Sequence, residues 1–240
     1  VGACRELAEY LDLDSTPYRI EAFDISNMQG VESVASMVVF EGGEPKKSDY
    51  RRFKIKTVVG PDDYASMEEV INRRYKRGLR EREELELKGR NVESGKFSNM
   101  PDLILIDGGK GQLRAAASIL DSLGIDDIPI ISLAEKFEEV YVLDEDKPVV
   151  LPRNSNALHL LQRIRDEAHR FALSYHRSLR QKSTLHSSLE DIPQIGPKRR
   201  VALLRRFGSV EGIKSATLEE LCSVEGMNIQ AAKNIKEYLQ

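Results

Sequence analysis

The chain has 240 residues, 36 Lys+Arg against 39 Asp+Glu, and a formal net charge of -3. With 40% hydrophobic and 31% charged residues, this is a globular composition, neither disordered nor membranous, and long enough for a medium domain plus a small one. Apolar runs such as 36–40 are too short to cross a bilayer, no signal pattern stands at Val1, and two distant cysteines, Cys4 and Cys222, exclude a disulfide framework or zinc spacing. A reducing cytoplasm is the expected location. A first residue that is not Met points to a piece of a longer protein.

Residues 1–14 read as a short helix that Pro17 prevents from continuing. Three strands follow, Tyr18–Ser26, Ser33–Phe40 and Ser48–Val58, as antiparallel neighbours joined by a turn at Gly42-Gly43. Pro61-Asp62-Asp63 opens a helix carrying Met67, Val70, Ile71 and Tyr75 at helical spacing. Arg77–Met100 reads as a helix extension followed by a mobile loop, its charges a solvated face. Leu103–Ile106 is a continuous apolar run, as a strand buried on both faces requires. Gln112–Leu123 is a helix, Pro129–Leu133 a buried strand, and Glu139–Leu143 with Val149–Leu151 an edge hairpin. Ser155–Lys182 is a long helix. The order implies an α/β mixed sheet flanked by helices over residues 1–182, a polar linker over 183–190, and a small all-α domain over 191–240.

Asp24 lies inside an apolar strand, where a carboxylate is costly unless it is hydrogen-bonded, paired or bound to a metal. Asp107 ends the Leu103–Ile106 strand, where open α/β sheets place their ligands, although it also reads as a turn or capping residue. On neighbouring strands the two carboxylates can share Mg²⁺ or Mn²⁺. The long helix has an apolar stripe of Leu161, Ile164, Ala168, Phe171, Ala172, Tyr175 and Leu179. A second stripe, with Gln162, Asp166, His169, Leu173, His176 and Arg180, flanks it, His169 and His176 being about 20° apart on the wheel. Beside two strand carboxylates, His169 reads as a metal ligand or a proton carrier. Asp63, at a helix start, is either a cap or a fourth acid. Gly108–Gln112 lacks the spacing of a phosphate loop, but its backbone N–H groups and Lys110 suit a DNA phosphate.

The last fifty residues contain two similar turns about thirty residues apart, Ile192–Arg200 and Val224–Gln230, each before a helix. They form a tandem helix-hairpin-helix pattern, in which helix N-termini face phosphates without reading bases. Lys198, Arg199, Arg200, Arg205 and Arg206 bring five positive charges with no acid between Ile195 and Phe207. Gly196, Lys198, Arg199, Arg200, Gly226, Asn228, Gln230 and Lys233 are therefore candidate DNA contacts, with Lys110 and Arg170 outside the tail. Each turn departs from Gly-hydrophobic-Gly: Gln194 replaces the first glycine of one, Asn228 the second of the other.

Several segments together carry a resemblance: Arg19–Ser26, Val34-Ala35-Ser36, Asp49–Arg52, Pro61–Tyr64, Ile106–Gln112, Arg165–Arg170 and Ile195–Arg200. In this order they resemble the C-terminal half of the UvrC family, the incision subunits of bacterial nucleotide excision repair. The resemblance implies a ribonuclease-H-like endonuclease domain before tandem helix-hairpin-helix motifs, incision 5′ to a lesion, a place in the SOS response, damaged duplex DNA as substrate and UvrB as partner. It also implies an Asp-Asp-His set at Asp24, Asp107 and His169, a further acid at Asp63, and a UvrB-contacting segment, a second nuclease domain and a cysteine-rich region upstream. The charged insert Arg80–Met100 departs from the family pattern by its length. A metal-dependent DNA endonuclease is the expected activity. A non-catalytic DNA-binding module that positions a partner nuclease is the alternative, and a nucleotide-binding enzyme using Gly108–Gln112 is disfavoured by the spacing.

Overall fold

The structure, a computed structural model, describes residues 2–26, 33–58, 60–134 and 138–239, without the side chains of residues 175–188 and 190. It divides into two compact units, residues 1–173 and 174–240. Tyr175, His176, Leu179 and Arg180, which the helical wheel placed on two stripes, lie outside the described side chains.

In the first unit, helix α1 (Gly2–Tyr10) buries Cys4, Leu7 and Ala8. Strands β1 (Arg19–Ser26) and β2 (Val34–Glu41) pair antiparallel from Arg19↔Glu41 to Ser26↔Val34. Gly42 and Gly43, both left-handed, turn the chain into the short strand β3 (Glu44–Pro45). The expected strand Ser48–Val58 shrinks to β4 (Arg51–Lys54), paired with β2. Before it, Lys47–Asp49 winds into a 3₁₀ turn. After it, the N–H groups of Lys56 and Thr57 donate to the Glu69 carboxylate, so no further strand partner is needed there.

Helix α2 (Asp63–Leu87) leads to β5 (Leu103–Asp107), which runs parallel to β1, with Phe23 opposite Ile106. Helix α3 (Lys110–Ser122) crosses over to β6 (Ile130–Ala134), parallel to β5. The antiparallel strands β7 (Glu139–Val142) and β8 (Val149–Val150) complete the order β3-β2-β1-β5-β6-β7-β8, with β4 also on β2. The mixed sheet agrees with the sequence, and Leu103–Ile106 is fully buried, as its unbroken apolarity requires. Among the described residues, no helix is long and apolar enough to cross a membrane.

The charges of the run from Arg77 to Arg90 are exposed except the half-buried Glu81, as the solvated-face reading has it; the buried charge on α2 is Arg74, just before that run. Arg74 is buried and forks onto Glu21 of β1, Nε to Oε2 at 3.0 Å and Nη2 to Oε1 at 2.7 Å. Tyr75 Oη donates to the same carboxylate at 3.1 Å, and Arg19 reaches it at 3.3 Å. Burial works against the Arg74 charge, but Glu21 outweighs it and holds the guanidinium's pKa above its ordinary value. Burial, with the Glu21 charge, pushes the Tyr75 phenol well up, so it remains a donor. The remaining Arg74 donors take the carbonyls of Phe97 and Asn99, at 2.7 and 3.0 Å.

That capture also corrects the reading of residues 88–100 as a mobile loop. The segment forms a 3₁₀ turn at Val92–Ser94 and folds back on α2, where Glu81 accepts from the N–H groups of Phe97 and Ser98. A Cβ at Gly78 would stand 2.7 Å from Phe97 O, so the approach requires a glycine in mid-helix.

Helix α4 (Asn156–Glu190) buries Leu161, Ile164, Ala168 and Ala172 and half-buries Phe171, as the apolar stripe predicts, and also buries Ala157 and Leu158 in its first turn. It continues through residues 183–190, the expected linker. Polar residues without Gly or Pro do not break a helix, and the first proline beyond is Pro193. Leu189 belongs to the core of the second unit, with Ile192, Ile195, Leu203, Ile213, Leu221 and Ile235. Around that core stand α5 (Pro197–Phe207), α6 (Val210–Ser215), α7 (Leu218–Cys222) and α8 (Ile229–Tyr238). Ser209, Thr217 and Asn228 cap the last three through side-chain oxygens. Helix α6 was not anticipated from sequence; its six residues are too few to show a period.

Arg74→Met should destabilise the first unit by about 3–5 kcal/mol, because Glu21 is left charged and buried. The double variant Glu21→Leu/Arg74→Met should recover most of that loss. Urea unfolding of the three proteins measures both effects; equal stability of wild type and Arg74→Met would contradict the role assigned to the pair.

Candidate metal centre and nucleic-acid interface

Asp24 and Asp107 leave adjacent parallel strands at the same end, since Phe23 and Ile106 are in register one residue earlier. Both strands need their apolar residues to fill the core, so the carboxylates stand where the core stops. His169 of α4 completes the cluster: one ligand atom from each of the three residues lies within 4.8 Å of the others. His169 Nδ1 is 3.5 Å from Asp24 Oδ2. The Asp24 side chain is 8% exposed and that of His169 58%, so one wall is buried and the other opens to solvent. Two carboxylates and an imidazole at this spacing fit one hard or borderline divalent cation.

Asp63 is not part of this cluster. The helix cap is its neighbour Asp62, whose carboxylate accepts from Ala65 N at 3.0 Å, leaving Asp63 as the first helical residue.

A clamp that sequence reasoning missed fixes the turn of α4 bearing His169. Ser36, opposite Asp24 on β2, donates to the carbonyl of Ala168 at 2.9 Å. Tyr50 Oη donates to Glu167 at 3.1 Å, and its ring meets Phe171 edge-on at 5.2 Å. Burial, followed by the Glu167 charge, pushes the Tyr50 phenol well above its ordinary pKa and keeps it a donor. Arg52, in register with Ser36, lies 4.1 Å over the Phe171 ring. The one visible signal was Ser36, a hydroxyl within the apolar run 34–40.

Arg170 forks onto Glu167 at 2.7 and 2.6 Å. Its hydrogen bond, against the effect of burial, holds the Glu167 carboxyl below its ordinary value. Arg170, a candidate DNA contact from sequence, thus braces the clamp. Lys110 Nζ donates to Glu145 O at 2.9 Å. The Gly108–Gln112 loop is filled by its own side chain. Gln112 Oε1 accepts from Gly109 N at 3.1 Å, and a Cβ at Gly108 would come within 1.7 Å of it. A nucleotide phosphate would have to displace that amide.

In the second unit the two hairpins have the same backbone. Gln194 takes φ +68, matching Gly226 at +80, so the glycine-like turn forms despite the side chain. Gly196 and Asn228 are the matching N-caps, and Asn228 accepts from Ala231 N at 2.8 Å. Arg199 braces one hairpin against the other, donating to Gly226 O at 2.6 Å and Gln194 O at 2.7 Å. Asn234 donates to Pro193 O at 2.8 Å from the opposite direction. Lys198 and Gln230 lie exposed in the first turns of α5 and α8, Lys233 one turn further along α8, and Arg200 is half-buried.

Residues 8–173 match the family described as UvrC RNAse H endonuclease domain, and residues 187–240 match the SAM-like helix-hairpin-helix tandem. The chain belongs to the UvrC RNase H endonuclease domain family. It is 52% identical over 238 residues to the UvrABC system protein C of Clostridium beijerinckii, covering 98% of this chain and 38% of that protein. It is 51% identical over 250 residues to the same-named protein of Symbiobacterium thermophilum, covering 99% and 40%. The chain thus spans about two-fifths of the length of these relatives. Among solved structures, it is similar to Ciona intestinalis endonuclease V in complex with inosine-containing DNA, at 15% identity and a TM-score of 0.39 over 74% of this chain and 97% of that one.

Within the UvrC family frame, the second unit is the helix-hairpin-helix tandem read from sequence, with Gln194 as its strained position. Left-handed backbone costs a side-chain-bearing residue roughly 1–2 kcal/mol, and glycine gives back roughly half of that gain as unfolded-state entropy. Gln194→Gly should stabilise this unit by up to about 1 kcal/mol, and Asn228→Ala should cost it about 1 kcal/mol. Hydrogen exchange at the core amides of Leu203 and Ile235 reports the unit by itself; slower exchange in Gln194→Gly and faster exchange in Asn228→Ala are the expected results.

Proposed function

We propose that this chain is a divalent-metal-dependent DNA endonuclease that cuts one strand of damaged duplex on the 5′ side of the lesion. The reading places it in bacterial nucleotide excision repair, in the cytoplasm, with UvrB as its protein partner. The observation that carries it is the convergence of Asp24, Asp107 and His169 within 4.8 Å at the ends of two adjacent parallel strands. Family membership supports it. Residues 1–182 are proposed as the nuclease domain and 191–240 as the DNA-binding domain.

In this reading Asp24 and Asp107 hold Mg²⁺ or Mn²⁺ through carboxylate oxygens, and His169 contributes its imidazole. The bound ion supplies Lewis-acid stabilisation of charge at the scissile phosphate. The buried Asp24 fixes one side of the donor set, and the Ser36–Ala168 hydrogen bond sets how far His169 stands from it. Asp63, at the start of α2, serves as an outer acid toward the same cleft. The exposed hairpin residues Lys198, Gln230 and Lys233 and the half-buried Arg200, with the N-caps Gly196 and Asn228 and the turn at Gly226, hold backbone phosphates in a sequence-independent way. Arg199 acts through the hairpins that it braces.

Asp24→Asn and Asp107→Asn should each abolish 5′ incision and leave DNA affinity nearly unchanged, as measured by nicking and by binding of a lesion-bearing duplex. Retained incision by Asp107→Asn in Mg²⁺ would sink the assignment. Calorimetric Mn²⁺ titration should give a weaker site in His169→Ala; equal affinity would remove His169 from the ligand set. Lys198→Ala and Lys233→Ala should each lower the log–log salt slope of binding by roughly 0.7–0.9, the value for one lost phosphate contact.

A further inference from the structure

Tyr64 is an aromatic residue that neither core uses. It is the second residue of α2, its side chain is 57% exposed, and it follows Asp62 and Asp63 directly. Its ring lies against the first turn of α3 at Gly111, where a Cβ would meet Tyr64 Cε1 at 2.6 Å and Oη at 2.9 Å. Only a glycine lets the ring rest there. Gly111 stands four residues beyond Asp107, at the head of the helix that the catalytic-side strand β5 feeds. The ring is therefore backed by main chain at the head of α3, the helix that follows Asp107, and open to solvent on its other side.

We infer that Tyr64 is a substrate-contact residue, whose ring stacks on a nucleobase of the cleaved strand next to the scissile phosphate. This rests on the endonuclease reading above. A ring left in water forgoes the stabilisation of burial, and one fixed against backbone loses little freedom when a flat partner covers it. A nucleobase is that partner at a phosphodiester-cutting site, because every base presents a π-face and stacking is tolerant of sequence. Tolerance of sequence suits a nuclease whose target is set by damage. The adjacent acids Asp62 and Asp63 disfavour a phosphate at the ring itself, so the contact falls on the base.

The test uses the full-length protein with its incision partners and a lesion duplex carrying 2-aminopurine beside the 5′ cut site. Tyr64→Ala should raise the half-saturating DNA concentration roughly tenfold, the scale of one lost base stack, with a smaller change in maximal rate. Tyr64→Phe and Tyr64→Trp should remain within about threefold of wild type on the same scale. In Ca²⁺, without turnover, wild type and Tyr64→Phe should quench the 2-aminopurine fluorescence on binding, and Tyr64→Ala should not. Thermal melts matching wild type would separate this from a folding defect. Unchanged saturation and quenching in Tyr64→Ala would overturn the proposal, as would a Tyr64→Phe loss equal to that of Tyr64→Ala, which would assign the effect to the hydroxyl. Failure of the endonuclease reading would show itself differently: wild type would cut no better than Asp24→Asn.

Discussion

A carboxylate buried in the middle of the central strand constrains the first unit more than any other group. Glu21 is fully buried, and such a charge persists only if its oxygens are matched by donors in fixed directions. Arg74, Tyr75 and Arg19 supply them, so α2 has one rotational setting and one height against β1. An apolar interface of the same size would tolerate small slides of the helix; a forked ion pair does not. The same guanidinium takes two carbonyls from residues 97–99, which anchors the charged insert. The setting of α2 in turn decides where its first turn lies, and that turn carries Asp63 and Tyr64, whose ring rests on Gly111. Glu21 and Asp24, three residues apart, leave opposite faces of β1. One strand thus carries an ion-paired acid on one side and an acid of the Asp24–Asp107–His169 cluster on the other.

The functional side follows the opposite logic. Asp24 and Asp107 stay put because their strands are locked in a parallel ladder, whereas His169 rides on a helix packed largely by apolar contacts, which restrain sliding only weakly. Ser36, Tyr50 and Arg52 make up the difference at Ala168, Glu167 and Phe171, the residues on either side of His169. This arrangement keeps a more-than-half-exposed imidazole within 3.5 Å of a buried carboxylate. Its ion pairing responds to acid in a defined direction. Glu167 is held below its ordinary carboxylate range by Arg170, so its share of the clamp is complete above that range and is lost as pH falls through the lowered value.

The antiparallel opening strands, the alternation of strands and helices after them, and the candidates Asp24, Asp107 and His169 were legible in the sequence because each rests on a local pattern. Leu103–Ile106 is unbroken because both faces are covered; Asp24 and Asp107 stand out because each interrupts or ends such a run. The hairpins were legible because a left-handed turn before a helix has a short signature, and Gln194 shows that the backbone demand survives loss of its preferred residue. What was hidden depends on partners distant in sequence. Arg74 looks like any other charge on α2 until Glu21, 53 residues away, is seen beneath it. Arg199 reads as a phosphate contact until Gly226 O is found 2.6 Å from it, and Lys56–Thr57 as a strand until Glu69 takes their N–H groups. Residues 183–190 are polar, as a linker would be, but hold neither Gly nor Pro, and α4 runs through them.

In the proposed function, Asp24, Asp107 and His169 together hold one divalent cation. Fe²⁺ placed in the protein and driven with ascorbate and peroxide cuts the polypeptide next to wherever the ion sits, and reads the site without any DNA. The account predicts three cuts, near residues 24, 107 and 169, all suppressed by excess Mg²⁺ and all absent from Asp24→Asn. Cuts confined to other segments, or an unchanged pattern in Asp24→Asn, would contradict it.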